Sequence, residues 1–328
     1  MEKENKGIGG YFGFELAGKC HTSYHPEALA LNVGRSALSY ILFNRRYRML
    51  YLPDYTCEVI KKTALSIPSL EIRYYGINED FDPIELPDKI EQDEAILYTN
   101  YFALKSKTIQ KLFEKYQYQL IVDNAQAFYA QAIEGVDTFY TARKFFPVPD
   151  GAYLYTSNVS GYTSLLQDVS YDKMSHLLTR TDVSSEFGYA DFQAVERTFS
   201  EAPVSKMSNL TKSLLSCLDY ELIRKKRLEN FLYLHSRLSR TNDLEISDSV
   251  STESDFAPFY YPYRTKTRNM REYLISQKVY VPKFWTSVDC VRNSKALDLV
   301  EEIIPLPIDQ RYDCSDMEKI INLAGSRV

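Results

Sequence analysis

The chain has 328 residues, enough for about two domains and a core that needs no staples. A formal charge of −5, from 39 Lys+Arg against 44 Asp+Glu, argues against the strongly basic face that general nucleic-acid binding requires. Only 12 glycines occur, with no G-x-x-x-x-G-K-[ST] and no G-x-G-x-x-G, so neither a P-loop nor a dinucleotide fingerprint is present, and any phosphate must be held without a glycine-rich loop.

In chain order, Gly7, Gly9, Gly10 and Gly13 mark a flexible entry segment within an N-terminal arm over 1–25. The opening MEKENKG is not a signal peptide, and no apolar run reaches the ~18 residues of a membrane span, so no membrane partner is expected. Cys20, Cys57, Cys217, Cys290 and Cys314 are odd in number and scattered without a C-x-x-C, which reads as reduced thiols in a cytoplasmic protein. His21 and His25 stand four apart, but the segment is not clearly helical, so they read as surface or packing histidines and no metal site is expected.

Short runs rich in Tyr, Ile, Leu and Val predict strands at Met49–Leu52, Glu71–Tyr75, Ala95–Thr99, Gln119–Val122, Asp137–Thr141 and Ala152–Tyr155. Helices are predicted between them at Ser36–Arg45, Cys57–Ser66 and Lys107–Tyr116, and later at Ser164–Leu178. Such alternation implies an α/β fold with a doubly wound, mainly parallel sheet. Lys206–Leu238 reads as two helices or one long bent one, with Arg224-Lys225-Lys226-Arg227 on a solvated face between Glu221 and Glu229. A polar loop, Thr241–Asp255, then precedes strands at Ala257–Arg264, Val279–Pro282 and Ile303–Pro305 and helices at Asn269–Gln277 and Ser315–Leu323. The predicted organisation is a large α/β domain over 1–240 and a smaller α+β domain over 241–328.

Three constellations fall where ligands bind in open α/β sheets, at strand ends and helix starts. In Gly34-Arg35-Ser36-Ala37-Leu38, a lone glycine and a small polar residue open an apolar-periodic helix, whose free N–H groups favour an anion; a plain helix cap would look the same. In Ile121-Val122-Asp123-Asn124-Ala125-Gln126, an apolar strand runs into Asp123, a carboxylate that must find a cation or several donors, or else cap the next segment. In Thr141-Ala142-Arg143-Lys144, a lysine follows a strand and is walled by Phe145, Phe146, Pro147 and Pro149. Apolar surroundings lower an amine's pKa and suit it to a Schiff base, Thr141, Arg143 and Lys144 together would also grip a phosphate, and a snorkelling surface lysine is the plain alternative.

Together these make one chemical proposal. Pyridoxal phosphate needs a lysine for its aldehyde, a carboxylate to keep its pyridine nitrogen protonated, and donors at a helix N-terminus for its phosphate. The chain offers them in the order phosphate turn, acid, lysine.

The same segments resemble those of the DegT-type sugar aminotransferases, of the fold-type I pyridoxal-phosphate-dependent transferases. Gly34 to Leu38 is similar to that family's S-G-T-A-A-L phosphate turn, Pro53-Asp54-Tyr55-Thr56-Cys57 to its P-a-Y-T segment, Asp123 to Gln126 to its D-a-A-q/h, and Lys144 through Asp150-Gly151-Ala152 to its K-x5-E-G-G. The resemblance implies catalytic roles for Lys144, as the Schiff-base residue, and Asp123, on the pyridine nitrogen. It implies cofactor contacts from Gly34, Arg35, Ser36, Ala37, Tyr55 (over the ring), Gln126 (near the phenolic oxygen) and Thr141 (on the phosphate). Where that family often places an asparagine from the partner subunit on the phosphate, this chain has Val204, with Asn209 as a candidate substitute. The implied activity is a pyridoxal-phosphate-dependent aminotransferase, a homodimer moving an amino group from glutamate to a keto-sugar on a nucleotide in surface-polysaccharide or amino-sugar biosynthesis. A dehydration on the same cofactor, or a non-catalytic binding protein, are the alternatives.

Overall fold

The computed structural model describes residues 22–246, 249–251, 256–286, 288 and 294–325; the glycines of the entry segment, Cys20, His21 and Cys290 lie outside them. Strand β1 (Leu29–Leu31) leads through Asn32 and Val33 into helix α1 (Gly34–Arg45). Then come β2 (Met49–Pro53), α2 (Glu58–Leu65), β3 (Glu71–Ile77), a short β4 (Pro83–Ile84), β5 (Glu94–Thr99), α3 (Ser106–Tyr116), β6 (Leu120–Asp123), β7 (Asp137–Thr141) and β8 (Ala152–Tyr155). Among the described residues these strands form one sheet in the order β1-β8-β7-β6-β5-β2-β3-β4. Pairing is parallel from β7 through β6, β5 and β2 to β3, and antiparallel at both edges. The mainly parallel α/β sheet read from the sequence is therefore present, with strand bounds within two residues of those expected. The edge strand β1, only 3 residues long, gave no periodicity to read.

Strands β2, β5, β6 and β7 are buried along their whole length, as their near-continuous apolar runs require. Alternate side chains serve opposite faces. Leu50, Leu52, Leu97 and Ile121 share a cluster with Ala37, Leu38, Ile41 and Leu42 of α1. Tyr51, Ile96, Tyr98 and Val122 share the other with residues from the C-terminal third, among them Phe231, Leu234, Leu299 and Ile308. Several of the 27 tyrosines find their use here. Tyr75, Tyr98 and Tyr101 are enclosed, and their hydroxyls donate to the carbonyls of Leu97, Phe81 and Tyr55, each at 2.8 Å. Each fills core volume while satisfying a backbone acceptor. His25 is a packing histidine: Nε2 lies 2.9 Å from the Phe128 carbonyl and Nδ1 3.2 Å from the Tyr155 hydroxyl, amid the rings of Tyr24, Phe128, Tyr140 and Tyr153.

The helix expected at Ser164–Leu178 is not formed. That stretch is mostly irregular until its last turn, where a helical hairpin begins, α4 (Ser175–Asp182) and α5 (Ser185–Thr198), with Ser184 capping α5 by accepting from the Phe187 N–H at 3.3 Å. Leu166, Val169 and Tyr171 point to solvent, so the apolar spacing there does not mark a buried helix face. The next stretch is two helices, α6 (Asn209–Ser216) and α7 (Tyr220–Leu238), separated where Asp219 caps α7 by accepting from the Leu222 N–H at 2.9 Å. The basic run on α7 is not a solvated face throughout. Lys225 and Lys226 pair with Glu221 and Glu229, but Arg224 and Arg227 turn inward, and Arg227 donates to the Phe259 carbonyl at 3.2 Å and the Gln310 side chain at 3.1 Å. The C-terminal part holds β9 (Tyr261–Arg264), α8 (Met270–Ser276), α9 (Ser294–Glu302), β10 (Ile303–Leu306) and α10 (Cys314–Gly325), with β9 and β10 an antiparallel pair. Val279–Pro282 is irregular rather than a strand, α9 was not foreseen, and part of the expected loop, 247–248 and 252–255, lies outside the described residues.

Candidate active site

The parallel register sets three strand ends side by side: Thr99 pairs with Asp123, and Asp123 with Phe139 two residues before Thr141. Asp123 is 5% exposed. Its Oδ1 accepts the Ala125 N–H at 2.8 Å, and its Oδ2 faces the Thr99 hydroxyl at 3.4 Å. Burial raises its pKa above the ordinary carboxylate value, and the positive charge of Lys144 is the largest influence drawing it back. The two residues singled out separately in the sequence therefore stand close enough at the end of the sheet for the charge of one to act on the other.

Lys144 lies on the turn that follows β7. The expected apolar wall is only partly there: Phe145 and Phe146 turn into the core, and the Lys144 side chain is left exposed with its ammonium 5.6 Å from the centre of the Phe259 ring. A sequence neighbour in a tight turn points to a different side, so flanking phenylalanines say little about what a lysine touches. Lys144 makes no hydrogen bond or ion pair among the described residues, which leaves the amine available.

Among the described residues, buried polar groups that lack any partner include the Ser36 hydroxyl, the Thr56 hydroxyl, the Gln126 Nε2 and the Arg143 Nε. Gln126 is fixed at its other end, where Oε1 accepts the Phe102 N–H at 2.7 Å. A buried donor without an acceptor is costly and marks where a missing polar partner belongs. Ser36 is not a cap. The N-cap of α1 is Val33, with no side-chain cap bond, and the N–H groups of Gly34 and Arg35 find no acceptor among the described residues. A Cβ built on Gly34 would stand 3.9 Å from the Thr141 Cβ, so the start of α1 faces the end of β7 with only a glycine's width between them. Thr141 itself is buried, its hydroxyl 3.4 Å from the Gly151 carbonyl.

Two candidates are placed differently. Ala37 is wholly buried in the cluster beneath α1, and its N–H turns back to Val33. Tyr55 is 1% exposed and packs among Phe81, Tyr101 and Trp285, with ring centroids 6.2, 5.8 and 4.7 Å away; burial raises its hydroxyl's pKa. The neighbouring Thr56, which closes the P-a-Y-T-like segment but is given no role by it, has an unpartnered hydroxyl. The acid of the Asp150-Gly151-Ala152 triplet is structural. Wholly buried, it accepts from the Ser208 N–H at 2.8 Å, the Ser208 hydroxyl at 2.7 Å and the Thr211 hydroxyl, and so ties the strand after the lysine turn to the start of α6.

No family model matches the chain, and no curated protein matches its sequence. Solved structures do match its fold. A DegT DnrJ EryC1 StrS aminotransferase from Brucella abortus superposes with a TM-score of 0.60 at 13% identity, over 92% of this chain and 86% of that one. The sugar aminotransferase CalS13 from Micromonospora echinospora does so with a TM-score of 0.60 at 16% identity, over 92% and 87%. NtdA from Bacillus subtilis, a structure with the cofactor PMP bound, does so with a TM-score of 0.62 at 14% identity, over 91% and 72%. Over about nine-tenths of its length, this chain thus has the fold of the DegT-type sugar aminotransferases.

Proposed function

We infer that the protein is a pyridoxal-phosphate-dependent aminotransferase acting on a sugar. The observation that carries this is the Asp123–Lys144 pair at adjoining strand ends, set among buried donors that have no protein partner. The donor set fits the cofactor part by part. Lys144 offers a free amine for the aldehyde. Asp123 offers a carboxylate to the ring nitrogen. Gln126 offers an unpaired Nε2 for the phenolic oxygen. The Gly34 and Arg35 N–H groups, the Ser36 hydroxyl and Thr141 are the donors offered to the phosphate, Gly34 and Thr141 facing each other across the gap between α1 and β7. The likeness in fold to proteins named as sugar aminotransferases, one with PMP bound, supports the same reading.

When bound, pyridoxal phosphate supplies an electron sink for the carbon next to the amino nitrogen. Asp123, costly to ionise where it sits, is drawn towards its carboxylate form by the charge of Lys144, and would in that form hold a protonated ring nitrogen. Lys144 would hold the cofactor through its amine and, once an amino donor has taken its place, that amine would be free to take and return a proton at the donor's Cα. Phe259, under the ammonium, narrows the directions the lysine can take.

The acceptor is a keto-sugar linked to a nucleotide, the donor glutamate, and the setting surface-polysaccharide or amino-sugar biosynthesis. Residues 1–240 form the cofactor-holding domain and 241–328 the smaller one. The enzyme is a cytoplasmic homodimer. Cys57, Cys217 and Cys314 are free thiols, and no helix of the described residues is long and apolar enough to cross a membrane. Large apolar side chains on the segment between β8 and α6, among them Leu166, Tyr171, Leu178 and Phe187, are more than half exposed and suit a second copy of the chain. The reaction is tested by adding glutamate alone to cofactor-loaded protein: stoichiometric release of 2-oxoglutarate without any acceptor is expected, and no release would contradict transamination.

A further inference from the structure

The anion end of the site carries more positive charge than it balances. Arg35 is half-buried on the first turn of α1, and burial, helped by the like charge of Arg143, lowers the pKa of its guanidinium. It makes no hydrogen bond or ion pair among the described residues. The charges that act on it are Glu196 of α5, Arg143 of the lysine turn and Cys57 before α2, so the guanidinium stands between the helix start, the turn and the β2–α2 loop. Arg143 pairs with Glu196 and lies 4.5 Å from the Phe199 ring centre, and its Nε is buried with no partner. Lys173, 5.4 Å from the same ring, is taken by Asp168 at 3.0 Å. Three cations therefore meet two carboxylates, and Arg35 is the one left over. Beside it lie the buried, unpartnered Ser36 hydroxyl, two free N–H groups and the positive end of a 12-residue helix.

We propose that this end of the site binds a phosphate dianion on fixed charge from its own chain, with the Arg35 guanidinium as the direct ligand. The proposal rests on the cofactor reading above and names the residue that supplies what Val204 lacks. Arginine presents paired donors that match a phosphate, and a charge-assisted contact is roughly twice as strong as a neutral one. Arg35 pairs with the phosphate, while Glu196 holds the Arg143 guanidinium against Phe199.

The test compares capture of pyridoxal phosphate with capture of pyridoxal, which has the aldehyde and no phosphate, on Lys144. Affinities come from the absorbance change on mixing. Wild type should prefer the phosphate ester strongly. Arg35→Gln should cut that preference about 10- to 100-fold, the range expected for a lost charged hydrogen bond, by weakening the ester alone. Arg35→Lys should keep most of it. Pyridoxal binding at the wild-type level in both variants shows the site still folded. An unchanged preference in Arg35→Gln overturns the proposal, as does equal loss of both aldehydes, which would make Arg35 structural. Wild type that captures neither aldehyde overturns the cofactor reading and this assignment with it.

Discussion

The carboxylate of Asp123, buried at the end of β6, lies in the field of the Lys144 ammonium on the turn after β7. Burial makes the charged form of Asp123 expensive, and Lys144 is the strongest influence opposing that cost. Two opposite requirements thus meet at one residue. The fold would be easier to make without the charge, and the proposed chemistry needs it.

Asp123→Asn separates the two. Asparagine keeps an acceptor for the Ala125 N–H and removes the buried charge. The raised pKa means that the folded state holds this proton to higher pH than the unfolded chain does. Asp123 therefore costs stability as pH rises from the ordinary carboxylate range through the raised value. The variant should lose that decline and melt at or above the wild-type temperature near neutral pH, while its transamination rate falls by at least about a hundredfold. Thermal unfolding across pH, alongside single-turnover rates, checks both.

His25 gives the opposite pH signature. Its pKa is lowered to about 4 from 6.5, chiefly by burial, with the bond to the Phe128 carbonyl partly opposing. The unfolded chain then binds a proton that the folded protein refuses, so stability is full above pH 6.5 and is lost progressively as pH falls towards 4, about 3 kcal/mol in all. Denaturant unfolding between those limits should show this slope, and His25→Phe should flatten it.

Two glycines should respond in contrast. Gly151 has φ +118°, and a Cβ there would meet the Thr211 Cγ2 at 3.1 Å and the Ala142 Cβ at 3.3 Å. Gly151→Ala should cost about 3 kcal/mol through strain and crowding. Gly34→Ala places its Cβ in ordinary contact with Thr141, 3.9 Å away. It should leave the melting temperature within a few degrees of wild type and weaken capture of pyridoxal phosphate, because the methyl enters the gap between α1 and β7.

The α4–α5 hairpin should carry part of the subunit contact. Phe187 is 73% exposed and Leu178 57%, so charges there cost the monomer little. Phe187→Asp with Leu178→Asp should weaken self-association at least about tenfold in sedimentation equilibrium. A wild-type chain that sediments as a monomer would contradict the dimer.

Much of the sheet was legible because its strands are buried on both faces, and burial leaves runs such as Ala95–Thr99 with little freedom to be anything else. Asp123 and Lys144 stood out for a related reason: each breaks or closes such a run with a charge. What the sequence hid depends on direction rather than composition. Phe145 and Phe146 flank Lys144 in the chain yet face the core, and Tyr55 has a motif's position with a core residue's surroundings. The α4–α5 hairpin was missed because its apolar side chains lie on the outside, where spacing no longer marks a buried face. The unpaired Thr56 and Gln126 groups are visible only as hydrogen-bond accounts that do not close.

The central claim is that Lys144 is the amine that takes the cofactor. Mixing the protein with pyridoxal phosphate, reducing with borohydride and mapping the peptides tests it directly. The predicted result is a new visible absorption band before reduction, and afterwards a phosphopyridoxyl group on Lys144, absent in Lys144→Ala. A label spread over surface lysines, or a Lys144→Ala variant that binds and absorbs as wild type does, would contradict it.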